Sequence, residues 1–106
     1  MQRPANYLPA TTVTRNVLQG RVVSGDTGST EEGVQLVVSS RTNAFTNRVA
    51  NTDAFGRYAI KVPDGDWTVN VVMPSGRMYP VSQITVSGGL ITDDLGRYVP
   101  GLTITR

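Results

Sequence analysis

The chain has 106 residues, the size of one domain, and contains no cysteine and no histidine. Disulfides, thiolate metal sites and nucleophiles paired with histidine are therefore excluded. The net charge is only +2, from ten basic and eight acidic residues spread along the chain, without the clustered basic stripe of a nucleic-acid-binding protein. We expect one domain without cofactor or metal that is not an enzyme and binds no nucleic acid.

The basic residues are unusual in kind, because all but Lys61 are arginine. The guanidinium group suits two-pronged contacts with carboxylates and stacking on aromatic rings at a protein interface. The same bias can equally follow from the codon usage of the source genome.

Residues 1–16 differ in composition from the rest of the chain. Pro4 and Pro9 oppose a helix, and the segment lacks the apolar region of a signal peptide. No stretch of the chain approaches the ~20 apolar residues of a membrane span, so we expect no membrane contact. We interpret residues 1–16 as an extended arm ordered by a neighbouring protein, and residues 17–106 as the folded domain. The expected anchors of the arm are Tyr7, Leu8 and Val13, with Arg3 and Arg15 as polar contacts.

From residue 17 onward, short β-rich runs alternate with turn residues every eight to twelve positions, as in all-β sandwiches. The predicted strands are residues 17–24, 34–40, 47–51, 57–62, 67–73, 81–86 and 102–106. Alternation within them predicts a buried face made of Val34, Leu36, Val38, Tyr58, Ile60, Trp67, Val69 and Val71. We therefore predict an antiparallel, immunoglobulin-like or transthyretin-like β-sandwich.

The connections carry their own signals. Residues 52–56 are predicted to form a turn, in which Asp53 can close an Asx-type turn and Gly56 can take the positive φ that the reversal needs. Residues 63–66, Pro-Asp-Gly-Asp, predict a tight hairpin turn. Residues 90–106 are interpreted either as a loop that returns to the last strand or as a contact surface bearing Arg97 and Tyr98.

Several of these motifs occur in a familiar order. Residues 20–23 (Gly-Arg-Val-Val) open one strand and residues 33–38 begin the next, followed by Thr-Asp-Ala-Phe-Gly-Arg-Tyr at 52–58 and by the strand entry at 63–69. This order, over about residues 17–86, resembles the carboxypeptidase-regulatory-like or Cna-B (transthyretin-like) superfamily. The resemblance implies a β-sandwich in which Trp67 occupies the place of the usual inward tyrosine.

The same order, with a late strand at residues 83–86, is similar to the N-terminal domains of phage tail fibres. Those proteins continue into a long trimeric shaft, whereas this sequence stops at Arg106. The resemblance therefore implies a separate virion component, such as a capsid decoration protein or a tail adaptor.

The sequence argues against two kinds of chemical site, an internal isopeptide bond and a calcium site. Some Cna-B-type domains form an internal Lys–Asn isopeptide bond, but Lys61 lies mid-chain on the predicted outward face. Neither the acidic pair at 64 and 66 nor the pair at 93 and 94 supplies the further oxygen ligands that Ca²⁺ needs.

We therefore predict a non-catalytic structural protein of a bacteriophage virion, assembled in the host cytoplasm. It would bind capsid or tail proteins and form a homo-oligomer. Its predicted partner-binding residues are Arg97, Tyr98 and the five residues of the arm. The alternative is a carbohydrate-binding or adhesin-type β-sandwich module of a bacterial surface protein.

Overall fold

A computed structural model describes residues 16–99 and 101–106, which contain eight strands and no helix. Nothing in these two ranges has the helical length and hydropathy of a membrane span. The strands are β1 (Val17–Val23), β2 (Gln35–Ser40), β3 (Arg48–Asn51), β4 (Arg57–Lys61), β5 (Gly65–Val72), β6 (Met78–Ser87), β7 (Leu90–Asp93) and β8 (Leu102–Thr105).

The strands form two sheets. The smaller has the order β4-β1-β8, and the larger has the order β3-β2-β5-β6-β7. Neighbours pair antiparallel, except that β8 runs parallel to β1 with Gly20 opposite Leu102. The structure is thus an all-β sandwich, as predicted.

The core lies between the two sheets. The eight residues that the alternation pattern places inside are all buried. They are joined by seven further apolar residues: Leu18, Val22, Val62, Ile84, Val86, Ile91 and Ile104. The core is therefore continuous, and most of its members are alternate residues of the strands.

The predicted hairpin at residues 63–66 is wrong. These residues join β4 to β5, and those strands belong to different sheets, so the segment is a corner between the sheets. Gly65 has a φ of 150° there and is the first residue of β5. Turn chemistry fixes a local reversal, whereas the partner of each strand is set by which face of the core it covers.

The interpretation of residues 90–106 as a loop before the last strand is also wrong in part. The chain forms β7, which pairs with the end of β6, with Ser87 opposite Leu90. Gly88 and Gly89 connect the strands with φ values of 61° and 87°. Positive φ at both central residues suits a two-residue hairpin turn, which here continues the sheet.

Candidate protein-binding surfaces

The turn between β3 and β4 is held by the carboxylate of Asp53. Its Oδ1 accepts hydrogen bonds from the backbone N–H of Phe55 at 2.8 Å and of Arg57 at 2.9 Å. The backbone N–H of Gly56 donates to the carbonyl of Asp53, and Gly56 has a φ of 73°. The predicted Asx turn and the predicted positive φ are both confirmed.

The turn after β7 repeats this arrangement. Asp93 Oδ1 accepts hydrogen bonds from the backbone N–H of Leu95 and of Arg97, each at 2.9 Å. Gly96 has a φ of 80° and donates its N–H to the carbonyl of Asp93. Residues 92–98, Thr-Asp-Asp-Leu-Gly-Arg-Tyr, match residues 52–58, Thr-Asp-Ala-Phe-Gly-Arg-Tyr. This repeat was not predicted, although the match between the two segments is visible when the sequence is compared with itself.

We call residues 52–58 the first turn and residues 92–98 the second turn. The first turn leaves β3 and the second leaves β7, which are the two opposite edges of the larger sheet. Each presents an apolar side chain at its tip, with Phe55 67% exposed and Leu95 71% exposed. Each also carries an exposed arginine that pairs with its aspartate.

The tyrosines that end the two turns have different surroundings. Tyr58 is buried, which raises the pKa of its phenol well above the ordinary value, and its hydroxyl donates to the carbonyl of Leu102 at 2.7 Å. Tyr98 is 63% exposed. The tyrosine of the first turn is therefore part of the core, whereas Leu95, Arg97 and Tyr98 of the second turn lie at the surface.

The structure locates only part of the predicted binding set. Arg97 and Tyr98 lie together on the second turn, where Arg97 Nε is 3.2 Å from Asp93 Oδ2. The predicted arm residues lie outside the described residues: Arg3, Tyr7, Leu8, Val13 and Arg15. The described chain begins at Asn16, whose carbonyl accepts a hydrogen bond from the N–H of Val62.

The outer face of the smaller sheet carries a groove of about 600 Å³. Three residues stand in one row across it, because Arg21 of β1 is opposite Arg57 of β4 and opposite Thr103 of β8. In the next row Gln19 is opposite Ala59. The full lining is Gln19, Gly20, Arg21, Asn51, Asp53, Arg57, Tyr58, Ala59, Gly101, Leu102 and Thr103.

The residues weighed in the sequence for an isopeptide bond or a calcium site have ordinary surroundings. Lys61 is exposed on the outward face of β4. The carboxylate of Asp64 accepts hydrogen bonds from Asn16 and Gly88, and that of Asp66 accepts one from Thr85. Within residues 16–99 and 101–106, no three acidic side chains group as metal ligands would.

The Asx turns predict a response to acid. Hydrogen bonds from backbone N–H groups, first that of Arg57 and then that of Phe55, lower the pKa of Asp53 below 3.8. The backbone N–H of Arg97 is the main cause that lowers the pKa of Asp93. Both carboxylates therefore stabilise the fold above about pH 4, and this contribution is lost as the pH falls through their folded pKa values.

The double variant Asp53→Asn with Asp93→Asn should keep the hydrogen bonds of both turns, but it has no carboxylate at these positions that acid could protonate. The melting temperature of the native protein should fall more between about pH 5 and pH 2 than that of the double variant. Asp94→Asn is the control, since its carboxylate accepts none of the turn's hydrogen bonds. An equal fall in melting temperature for the native protein and the double variant would show that these two carboxylates do not cause the response to acid.

Comparison with known proteins identifies the fold only. No protein-family model matches the chain, and no curated protein matches it. Its structure is similar to that of BcpA, the major pilin subunit of Bacillus cereus, with a TM-score of 0.53 and 12% identity. That match covers 88% of this chain but 29% of the pilin.

A 9R-lipoxygenase from Cyanothece PCC8801 also matches, with a TM-score of 0.44 and 17% identity, over 100% of this chain and 18% of the lipoxygenase. A score at this level carries no argument about either fold or activity. The pilin likeness supports a β-sandwich of the kind that the Cna-B resemblance implied. None of these comparisons shows the resemblance to phage tail-fibre domains.

Proposed function

We propose that this protein is a non-catalytic structural component that binds a protein neighbour through the second turn. The observation that carries the proposal is the exposure of Leu95, Arg97 and Tyr98 on a rigid, hydrogen-bonded support. Tyrosine and arginine supply much of the binding energy in protein interfaces, and a preorganised loop loses little entropy on binding.

Comparison of the two turns supports a binding role for the second. The same seven-residue motif seats its tyrosine in the core at the first turn, where Tyr58 is 4% exposed. At the second turn the equivalent Tyr98 makes no such core contact and is 63% exposed. An exposed tyrosine beside an exposed leucine is therefore better explained by a partner than by folding.

In its particular form, the proposal is a bacteriophage virion protein, either a capsid decoration protein or a tail adaptor. Residues 1–16 would anchor it to a capsid or tail protein, and the sandwich would cover the surface as a symmetric homo-oligomer. The support is the arm-like composition of these residues and the order of motifs shared with tail-fibre domains. Neither nucleic acid nor a membrane is part of this proposal.

The second candidate is a module of a bacterial surface protein, and the fold likeness to a pilin subunit favours it. A carbohydrate-binding form would need aromatic rings gathered on one face. In the described ranges the most exposed rings are Phe55 and Tyr98, which stand on turns at opposite edges of the larger sheet. The surface candidate is therefore better supported as a protein-binding module than as a glycan-binding one.

Location separates the two candidates. Cells that encode the chain would be induced to release phage, and the particles would be purified on a density gradient and probed with an antibody against the sandwich. A signal in the particle band supports the virion form. A signal on intact cells that surface proteolysis removes supports the surface module.

The binding role of the second turn predicts a loss of assembly without a loss of folding. Leu95→Ala with Tyr98→Ala should reduce incorporation into the particle or pilus-like fraction by about tenfold or more. Met78→Ala with Tyr79→Ala is the control, because it removes an exposed apolar side chain and an exposed tyrosine from β6, outside both turns. A protein that lacks residues 1–15 should remain folded. Its incorporation should be lost if the arm also anchors the protein.

Equal incorporation of the native and the Leu95/Tyr98 variant proteins would contradict the proposal for the second turn. Equal incorporation of the truncated protein would contradict only the role of the arm. The circular dichroism spectrum and the melting temperature of each variant would show that the sandwich is intact.

A further inference from the structure

The groove on the smaller sheet contains an unfavourable arrangement of charge. Arg21 and Arg57 are directly opposite each other on neighbouring antiparallel strands. Like charges in this position repel each other and destabilise the sheet. Departures from local stability rules are expected where a residue serves binding.

The charge of Arg21 is not neutralised within the described residues. Arg57 has Asp53 at 3.6 Å, but this ion pair is exposed and weak. No ion pair joins Arg21 to an acidic side chain in residues 16–99 and 101–106. Residues 1–15 contain no aspartate or glutamate that could supply one.

The groove is also shaped to admit a ligand. Ala59 and Gly101 keep its surface low beside the row formed by Arg21, Arg57 and Thr103. That row offers two guanidinium groups and a hydroxyl as hydrogen-bond donors. The guanidinium carbon of Arg57 also lies 5.1 Å from the centre of the Phe55 ring, a cation–π contact at the margin of the groove. The ionisable groups of the lining near neutral pH are two arginines and Asp53, which leaves a net positive charge.

We propose that this groove binds the carboxylate side chain of an acidic polypeptide segment. Two arginines in one row match the geometry of a carboxylate, which accepts two N–H bonds from a guanidinium group. A second, smaller pocket of about 400 Å³, lined by Arg21, Thr30, Phe55 and Arg57, shares its two arginines with the first. It suits an apolar side chain next to the acidic one, so the groove fits a peptide in which the two residue types are neighbours.

An acidic sugar is the weaker alternative. Of the groove's own lining residues, Tyr58 is the aromatic one, and its ring is buried in the core. Phe55 lies outside that lining, and Arg57 covers one face of its ring. The groove lining itself therefore offers no exposed aromatic ring on which a sugar could stack. This site is separate from the second turn, so it goes beyond the function proposed above.

The test uses an end-blocked, fluorescently labelled peptide of sequence Gly-Glu-Leu-Glu-Gly, titrated with the full chain at low salt. A peptide in which glutamine replaces both glutamates is its matched control. The native protein should bind the glutamate peptide, and Arg21→Gln should weaken binding about tenfold or more. Lys61→Gln removes the same charge from the same face outside the groove, and it should change the affinity less than about twofold.

Stability gives an independent measurement. Because Arg21→Gln removes the repulsion from Arg57, its melting temperature should rise by about 1–4 °C. Weaker binding together with higher stability would distinguish a binding residue from a structural one. A lower melting temperature would overturn the claim that Arg21 is kept at a cost to the sheet.

Four binding results would overturn the proposal: no binding of the glutamate peptide, equal binding of both peptides, equal weakening by Arg21→Gln and Lys61→Gln, or tighter binding of oligogalacturonate than of the peptide. The last would assign the groove to an acidic sugar. None of these results would change the incorporation measured for the Leu95 and Tyr98 variant, so the two proposals fail separately.

Discussion

Trp67→Ala is expected to lower the free energy of unfolding by about 3–5 kcal/mol. Trp67 is 0% exposed at the centre of the core, and its indole N–H donates to the carbonyl of Pro63 at 3.0 Å. Truncation would leave a cavity that the surrounding β-strands cannot close, because paired strands move only together. It would also leave that carbonyl without its indole partner.

Denaturant titration followed by circular dichroism measures this loss, since the variant has no other tryptophan to report by fluorescence. Phe45→Ala is the matched control. The Phe45 ring stacks on Trp67 with centroids 5.5 Å apart but is 40% exposed, so its removal should cost only about 1 kcal/mol. A loss below about 1 kcal/mol for Trp67→Ala would contradict its central place in the core.

Alternation alone was enough to predict about half of the residues that make the inner face of the sandwich. Tyr58 and Ile60 in β4, and Trp67 and Val69 in β5, point to the core because successive side chains in a strand face opposite ways. Val37 is an instructive exception. It belongs to the outward set of β2, yet it is only 9% exposed, between Val49 and Asn70 on the paired strands. Burial by neighbouring strands requires knowledge of which strands pair.

Strand partners could not be predicted from the same signals. Residues 63–66 have strong turn chemistry, yet they connect two sheets, because β4 pairs with β1 and β5 pairs with β2. The parallel pairing of β8 with β1 joins residues from the two ends of the domain. Such contacts are set by how the whole core closes, and no local sequence window contains that information.

One candidate site could be proposed from the sequence, whereas the other required knowledge of strand pairing. Arg97 and Tyr98 could be proposed from residue type, and they lie exposed on one turn. Whether they bind a partner stays a prediction. The opposition of Arg21 to Arg57 depends on the register of two distant strands. A slip of one residue in that register would place the two side chains on opposite faces, so the groove could be found only from the structure.

At Gly20, where β1 meets β8, the backbone of the neighbouring strand leaves no room for a side chain. A Cβ atom at this position would lie 1.9 Å from the carbonyl oxygen of Leu102 and 2.6 Å from its carbonyl carbon. The same oxygen accepts the hydrogen bond from the hydroxyl of Tyr58. Both strands are fixed by pairing, so the clash with backbone atoms cannot be relieved by rotating a side chain.

Gly20→Ala is therefore expected to lower the free energy of unfolding by about 2–4 kcal/mol, through strain and through loss of the Tyr58 hydrogen bond. Gly101→Ala is the matched control beside the same strand. Its added Cβ would lie 3.5 Å from the carbonyl oxygen of Gln19, an ordinary contact, and it should change stability by less than about 1 kcal/mol. Denaturant titrations of both variants measure the difference. If Gly20→Ala were no more costly than Gly101→Ala, β8 could not be seated on β1 in the parallel register described here.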